Sequence, residues 1–246
     1  MTVFNISLAA FPGQEFAVAM ARAAAGVSEP LLGQLAVDHV QLCPQNRGLL
    51  SPDLARHLAE TYPATQFRVH ANTRVVSKRQ VTDLDRFDAG AEYWQALAHI
   101  SQLLGAPAYS AHAGLKANAT LEQVLDNTRR AADLFGVPVA IEGHYPTPRG
   151  IYLLDTWEDY RTLLESGVPY ALDLSHLHIL AVQSGRREEE LVKEMLGAQQ
   201  CLEIHVSGNN GARDSHEVLD DTVWWWPLLS HTNPDAVVFS EGTQRH

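Results

Sequence analysis

Short apolar runs alternate with longer stretches of helical periodicity along most of this chain. Eight of these runs are three to six residues long and rich in Val, Ile, Leu and aromatic side chains, which is typical of buried strands. The predicted strands are Phe4–Leu8, Val37–Leu42, Gln66–His70, Ala108–Ser110, Val139–Glu142, Tyr170–Leu172, Leu202–His205 and Ala236–Phe239.

The segments between these runs predict helices. Ser51 before Pro52 and Thr120 before Leu121 have the character of N-caps, and Gly136 is a plausible C-terminal stop. The predicted helices are Glu15–Ala25, Pro52–Thr61, Phe87–Leu104, Leu121–Phe135, Trp157–Glu165, Arg187–Leu196 and Asp221–Leu229.

Eight strands that alternate with helices predict parallel βαβ units, and eight such units fit an α/β fold, the (β/α)8 TIM barrel. We expect one domain over residues 1–246. A doubly wound open sheet is the structural alternative, but no Gly-x-Gly-x-x-Gly motif follows the first strand. The chain ends five residues after Glu241, so the last helix is expected to be missing or replaced.

A missing last helix leads to an expectation about partners. The outer faces of the first and eighth strands would be apolar, and uncovered apolar surface often marks an interaction site. We expect a protein partner, a second copy of the chain or a rearranged N-terminal segment to cover this flank.

Composition narrows the class of protein. The chain is 46% hydrophobic, which allows a large core, and its only cysteines are Cys43 and Cys201, too few for a disulfide framework. The start lacks the features of a signal peptide, and no apolar run approaches the roughly 18 residues of a membrane span. We therefore expect a soluble, cytoplasmic enzyme. A net charge of −11 argues against sequence-independent DNA binding.

Nine possible metal ligands form a series along the chain, and most of them end a predicted strand. Histidines and carboxylates are costly to bury without a partner, so a ring of them at strand ends indicates a site. Their mixture of imidazole and carboxylate suits Fe, Mn or Zn. The nine are His70, His112, Glu142, Asp173, His176, His205, Asp214, His216 and Glu241.

A single histidine at a strand end is more often a hydrogen-bonded structural residue than a ligand. The ordered series of nine, on a consistent α/β frame, is what favours a metal site. The other histidines, including His144 and His178, are interpreted as structural or solvated.

The motifs RVHA, SAHAG, IEG, DLSH, IHVSG, DSH and SEG carry a resemblance that covers roughly Val37 to Glu241. Their order resembles the xylose-isomerase-like TIM barrel superfamily, and the ligand types resemble endonuclease IV-type AP endonucleases. This resemblance implies three metals. It assigns one to His70, His112 and Glu142, a second to Glu142, Asp173, His205 and Glu241, and a third to His176, Asp214 and His216.

The segments YPATQFRVH, YSAHAG and DSHEVLDDTVW also resemble the multinuclear non-haem iron oxidases that modify peptide natural products. The Gly-x-Gly that usually follows Asp-x-His in the endonucleases is missing here, and the loops after the first two strands are not rich in the basic and aromatic residues needed to penetrate DNA. Conversely, the oxidases often have Asn where this chain has His176.

These observations predict an enzyme that uses two or three divalent metal ions (Fe, Mn or Zn), with Glu142, His176 and Asp214 as catalytic residues. Oxidative iron chemistry on a small molecule or peptide is favoured. The alternatives are phosphodiester hydrolysis of the AP-endonuclease kind, sugar isomerisation or epimerisation, and an inactive barrel that serves as a binding module.

Overall fold

Eight parallel strands close into a barrel in the computed structural model, which describes residues 2–78 and 81–244. Each strand pairs with its neighbour in the chain, and the last returns to the first with Phe4 opposite Val238. The strands are β1 (Phe4–Ser7), β2 (Ala36–Leu42), β3 (Gln66–Val69), β4 (Tyr109–His112), β5 (Val139–Glu142), β6 (Tyr170–Asp173), β7 (Cys201–Val206) and β8 (Val237–Ser240). The closed sheet confirms the predicted TIM barrel and excludes the open sheet.

Seven α-helices connect these strands: α1 (Phe16–Ala24), α2 (Pro52–Thr61), α3 (Ala91–Leu103), α4 (Leu121–Phe135), α5 (Trp157–Glu165), α6 (Leu174–Ser184) and α7 (Glu189–Gly197). Shorter 3₁₀ turns cover Leu8–Ala10, Leu84–Arg86 and Trp226–His231. The predicted caps are present, since the Ser51 hydroxyl accepts from the Leu54 amide and Thr120 forms a capping box with Gln123. Helices α2, α4 and α5 have the predicted bounds.

Helix α6 was not predicted. It is apolar on several sides, with Leu174, Leu177 and Ile179 all buried, so its sequence lacks a clear amphipathic period. Its ends are nevertheless well defined. The Asp173 carboxylate accepts hydrogen bonds from two amides of the first turn, and Gly185 ends the helix in the left-handed conformation with φ 67°.

The predicted helix Asp221–Leu229 is wrong. Only a 3₁₀ turn over Trp226–His231 forms there, because Pro227 lacks an amide hydrogen and disfavours helical geometry in the residue before it. The turn packs beside α7, and Trp226 stacks on Phe4 of β1 with ring centroids 5.9 Å apart.

A small antiparallel hairpin, Ser28–Glu29 with Gly33–Gln34, lies beside β8. The Ser240 hydroxyl donates to Glu29 across 2.6 Å, and the Leu31 amide donates to the Leu219 carbonyl across 3.3 Å. Ile6 of β1 and Val238 of β8 are both buried. The hairpin and Trp226 thus occupy the flank that a last helix covers in a complete barrel.

The apolar core lies between strands and helices, while the lower part of the barrel interior is polar. Tyr109 of β4 stacks on Phe135 of α4 with ring centroids 4.8 Å apart, and Trp94 of α3 meets both rings edge-on. Within residues 2–78 and 81–244, no helix has the length and apolar character required to span a membrane.

The Glu29 carboxyl makes the hairpin contact sensitive to pH. Burial raises the pKa of Glu29 above its ordinary value of 4.5, and the hydrogen bond from Ser240 only partly opposes this effect. The folded protein therefore favours the protonated carboxyl. Its stabilising contribution is complete below pH 4.5 and is lost as the pH rises through the higher folded-state pKa.

We expect Glu29→Gln, which keeps the acceptor for Ser240 without the charge, to gain stability over wild type as the pH rises from about 4 to about 8. Urea unfolding across this range measures the difference in free energy of unfolding. Glu60→Gln, an exposed change on α2, is the control and should show no such trend. A Glu29→Gln difference that is independent of pH would contradict the expectation.

Candidate metal centre

Six of the nine predicted ligands lie at the carboxyl ends of barrel strands, which meet at one face of the barrel. His112, Glu142 and Asp173 end β4, β5 and β6, His205 lies one residue before the end of β7, and His70 and Glu241 directly follow β3 and β8. The strand register sets two neighbouring pairs, with His112 opposite Glu142 and Asp173 opposite His205. His176 is added by the first turn of α6.

The last two predicted ligands come from the loop after β7. A backbone pairing ties this loop at its base, where the Gly208 and Glu217 amides each donate to the other's carbonyl. The Asn209 side chain also donates to the Ser175 carbonyl across 2.9 Å. The loop thereby brings Asp214 and His216 to the barrel face, and His216 takes a left-handed conformation with φ 46°.

Glu142 lies at the centre of the nine residues, and it is only 1% exposed. Its Oε2 is 3.5 Å from His70 Nε2 and 3.4 Å from His205 Nδ1. Its Oε1 is 3.8 Å from His112 Nε2 and 3.9 Å from His176 Nδ1. One carboxylate therefore faces four imidazoles that arrive from different elements of the barrel.

The remaining residues complete a ring of alternating acids and imidazoles. His176 Nε2 is 3.4 Å from Asp173 Oδ2 and 3.6 Å from Asp214 Oδ2. His216 Nε2 is 2.7 Å from the same Asp214 oxygen, and His216 Nδ1 is 3.9 Å from Glu241 Oε2. Glu241 Oε1 in turn is 3.9 Å from His70 Nε2. The structure thus brings all nine predicted residues into one connected cluster.

Several polar atoms at the heart of this cluster are buried without a hydrogen-bond partner. They are Glu142 Oε2, Glu241 Oε1 and His205 Nδ1. Buried polar groups without partners are rare and costly, and both oxygens of a buried carboxylate need compensation. A divalent cation among these oxygens and nitrogens would provide it, so the donor set fits transition-metal ions.

The pKa values of residues in the cluster agree with the assignment of a cation site. Burial lowers the pKa of His70 to about 3, which keeps its imidazole neutral and available as a ligand. Burial also opposes the charged form of His176, but Asp173 and Asp214 outweigh it and raise the pKa of His176 to about 10. Burial raises the pKa of Glu241 to about 7, against the effect of His205 and His216. The protein without metal thus holds protons where a bound cation would replace them.

A second polar layer lies beneath the cluster, inside the barrel. Glu203 is fully buried, and its Oε2 is 3.2 Å from His205 Nε2. Arg68 donates to Glu203 Oε1 across 2.9 Å, and Gln41 lies 2.9 Å from the same His205 nitrogen. Burial opposes the charge on Glu203, but Arg68 and His205 outweigh it and lower its pKa to about 2.

This layer determines which nitrogen of His205 faces the cluster. His205 Nε2 lies within hydrogen-bond distance of Glu203 and Gln41 in this layer, so Nδ1 is the nitrogen that faces Glu142. His176 is oriented in a similar way, since its Nδ1 lies 3.0 Å from the Gly143 carbonyl and its Nε2 faces Asp173. Such outer partners are a general property of histidines that bind metals.

Three residues of the site were not predicted from the sequence. Glu203 could have been found, because it stands two residues before His205 and so shares the inward side of β7. Asp83 lies in the long loop after β3, 3.4 Å from His112 Nδ1, and no local pattern marks it. His144, interpreted as structural or solvated, is buried beside His112 with ring centroids 5.0 Å apart.

Solved structures of the same architecture confirm the fold. A D-tagatose 3-epimerase-like protein is 17% identical with a TM-score of 0.66, over 96% of this chain and 89% of that one. AP endonuclease, family 2 from Brucella melitensis, is 16% identical with a TM-score of 0.65, over 100% and 95%. The IOLI protein with a binding zinc atom is 14% identical with a TM-score of 0.61, over 98% and 88%.

The chain has the xylose-isomerase-like TIM-barrel fold. The resemblance expected from the motifs is confirmed at this level. No protein-family model matches the sequence, and no curated protein matches it. Xylose-isomerase-like barrels therefore share the architecture of this chain, while the reaction has to be argued from its own side chains.

Removing the charge of Glu203 should weaken metal binding without removing a ligand. We expect Glu203→Gln to raise the Kd for Zn²⁺ by roughly 10- to 100-fold, because His205 loses the carboxylate that orients it. Isothermal titration of metal-free protein with Zn²⁺ measures the change. Glu194→Gln breaks an exposed ion pair with Arg161 and is the control, with an unchanged Kd. An equal Kd for Glu203→Gln and wild type would show that Glu203 serves only the fold.

Proposed function

We propose that this chain is a metal-dependent enzyme whose multinuclear centre is bridged by Glu142. The observation that carries the proposal is the buried Glu142 carboxylate, which lies 3.4 to 3.9 Å from four imidazoles. A carboxylate with two oxygens facing different histidines is suited to join two cations. The zinc atom in the similar IOLI structure supports metal binding in a barrel of this shape.

Solvent reaches the cluster on one side. The side chains of His112 and His216 are 22% and 20% exposed, and that of Asp214 is 15% exposed, whereas His70 and His205 lie deeper. A substrate would approach along the exposed side. His176 and Asp214 lie between this opening and Glu142, which supports the expectation that all three residues are catalytic.

Oxidative chemistry at iron is our first candidate reaction. Two groups in the cluster, His70 with His112 and Glu142, and His70 with His205 and Glu241, each combine two histidines with one carboxylate. This donor set is typical of non-haem Fe(II) oxygenases, in which the metal supplies open positions for dioxygen and substrate. The net charge of −11 favours a small molecule or peptide over DNA.

Phosphodiester hydrolysis is the second candidate. The contact of Asp214 with both His176 and His216 favours it, because these three residues are the third metal group that the resemblance to AP endonucleases implies. Metal ions would supply an activated water in that case. Sugar epimerisation, the activity in the names of several similar structures, would use Glu142, Asp173, His205 and Glu241. It would leave His70, His112 and His216 without a role.

Metal content tests the proposal directly. We expect protein purified without added metal to contain at least one equivalent of a first-row transition metal per chain. Glu142→Ala should lose at least about 90% of it, because the variant removes the carboxylate that faces four histidines. Plasma mass spectrometry measures the metal, and circular dichroism verifies the fold. Glu165→Ala, an exposed change on α5, is the control. Less than one equivalent in wild type together with unchanged content in Glu142→Ala would overturn the proposal.

Three activities test the reaction class, each measured with protein that has been loaded with one known metal. We expect the ferrous protein to consume oxygen in the presence of a thiol substrate, and His70→Ala to abolish this consumption because both donor groups lose a shared ligand. The zinc and manganese forms are incubated with a duplex that contains an abasic site, and with ketohexoses. Nicking of the duplex without oxygen consumption would establish the hydrolase, and epimerisation alone would establish the isomerase.

A further inference from the structure

A group of three residues at the mouth of the barrel lies beside the cluster and includes two that the expected ligand set omits. Asp83 Oδ1 is 3.4 Å from His112 Nδ1, and the rings of His112 and His144 are 5.0 Å apart. One ligand atom from each of Asp83, His112 and His144 lies within 4.8 Å of the others. The three come from different elements: the loop after β3, the end of β4 and the loop after β5.

His144 is the member of this group whose buried nitrogen has no partner. It is only 8% exposed, and its Nε2 is buried without a hydrogen-bond partner. Its ring is held in place by Tyr152, with centroids 4.1 Å apart and an interplanar angle of 19°. A buried imidazole nitrogen normally finds a partner, so a fixed ring without one indicates a ligand.

Asp83 is held in position as well. The Asn72 amide donates to Asp83 Oδ1 across 2.6 Å, and its own oxygen accepts from the Thr82 amide across 2.7 Å. Asn72 takes a left-handed conformation with φ 60° to make these contacts. The carboxylate is thereby presented to His112 before any ligand binds.

An outer cation can bind His112 without leaving the inner groups incomplete. His112 Nδ1 is 3.4 Å from Asp83 Oδ1, whereas the other ring nitrogen, Nε2, is 3.8 Å from Glu142 Oε1. If His112 serves Asp83 and His144, the inner residues still form two complete groups, His70 with His205 and Glu241, and Glu142 with Asp173 and His176. Glu142 can still bridge these two inner groups, because its Oε2 also faces His70 and His205. This division differs from the one that the family resemblance implies.

We propose that Asp83, His112 and His144 form an outer site for a divalent first-row transition cation at the mouth of the barrel. Two imidazoles and one carboxylate suit Zn²⁺, Fe²⁺ or Mn²⁺ and leave positions open on the solvent side. The inference rests on the proposed function, since it adds a cation to the inner centre. A cation here would lie where a substrate enters and would contact an anionic or thiolate group before the inner centre does.

Zinc stoichiometry in two matched variants tests the outer site. His144→Phe keeps the ring against Tyr152 without its nitrogens, and Asp83→Asn keeps the acceptor for Asn72 without the charge. Metal-free proteins are equilibrated with Zn²⁺ near neutral pH, and bound zinc is counted after gel filtration. Each variant should bind one zinc fewer than wild type and keep its other zinc ions. His178→Phe, a half-buried histidine two residues after His176, is the control and should bind the wild-type number.

The possible outcomes separate this inference from the proposed function. Wild-type zinc content in His144→Phe would overturn the outer site. Weaker binding of every zinc ion in Asp83→Asn, with no change in His144→Phe, would also overturn it and make Asp83 a positioning residue for His112. A wild-type protein that binds neither Zn²⁺ nor Fe²⁺ nor Mn²⁺ in the same experiment would overturn the proposed function itself. If a variant fails to fold, anomalous diffraction at the zinc edge of wild-type crystals decides, since the site requires a peak between Asp83, His112 and His144.

Discussion

The buried carboxylate of Glu142 is the constraint on which the rest of this site depends. Removing an ionised carboxylate from water costs several kcal/mol unless nearby charges and hydrogen bonds offset it. At 1% exposure Glu142 has little access to solvent, so the compensation has to come from its neighbours. Four imidazoles face it within 4 Å, and the histidines among them that carry protons supply positive charge. A cation would do the same more completely, because it satisfies oxygens that no proton of the protein reaches.

The geometry of the barrel brings the residues of the cluster together. Parallel strands end at the same face, so residues far apart in the chain meet without a dedicated scaffold. The strand register places His112 opposite Glu142 and Asp173 opposite His205, while α6 and the loop after β7 bring in the other groups. Beneath them, Glu203 and Arg68 form a buried ion pair that holds His205 from below. The face is thus built in layers, and the lower layer fixes the orientation of the upper one.

Proteins that share this fold can catalyse different reactions. Epimerase-like and endonuclease-like structures superimpose on this chain about equally well, with TM-scores of 0.66 and 0.65. Their shared barrel therefore says little about which bonds are made or broken. The features of this chain that bear on its reaction are the four imidazoles around one carboxylate, the net charge of −11, and the pair Asp83 and His144 at the mouth. They are the basis of our proposal of a centre with more than one cation that acts on small substrates.

The sequence by itself determined the barrel and most of its site, because both follow from local patterns. Apolar runs predicted all eight strands, and helices α2, α4 and α5 were predicted with their bounds because their amphipathic periods and caps are strong. Six of the nine predicted ligands could be expected to lie together because they stand at strand ends, which converge in a parallel barrel. Helix α6 was missed because a helix buried on several sides has no amphipathic period, and the helix expected at Asp221–Leu229 failed because Pro227 overrides that period.

Only the tertiary structure decided which side chains of the site lie close to one another and which residues hold them in position. Asp83 reaches His112 from a loop whose path depends on Asn72 rather than on any periodic pattern. The burial of His144 against Tyr152, and the hairpin that brings Glu29 to Ser240, likewise join segments that are distant in the chain. Strand and helix periods report which side of an element faces the core. They carry no information about distances between loops, and those distances set which carboxylates and imidazoles of this site face one another.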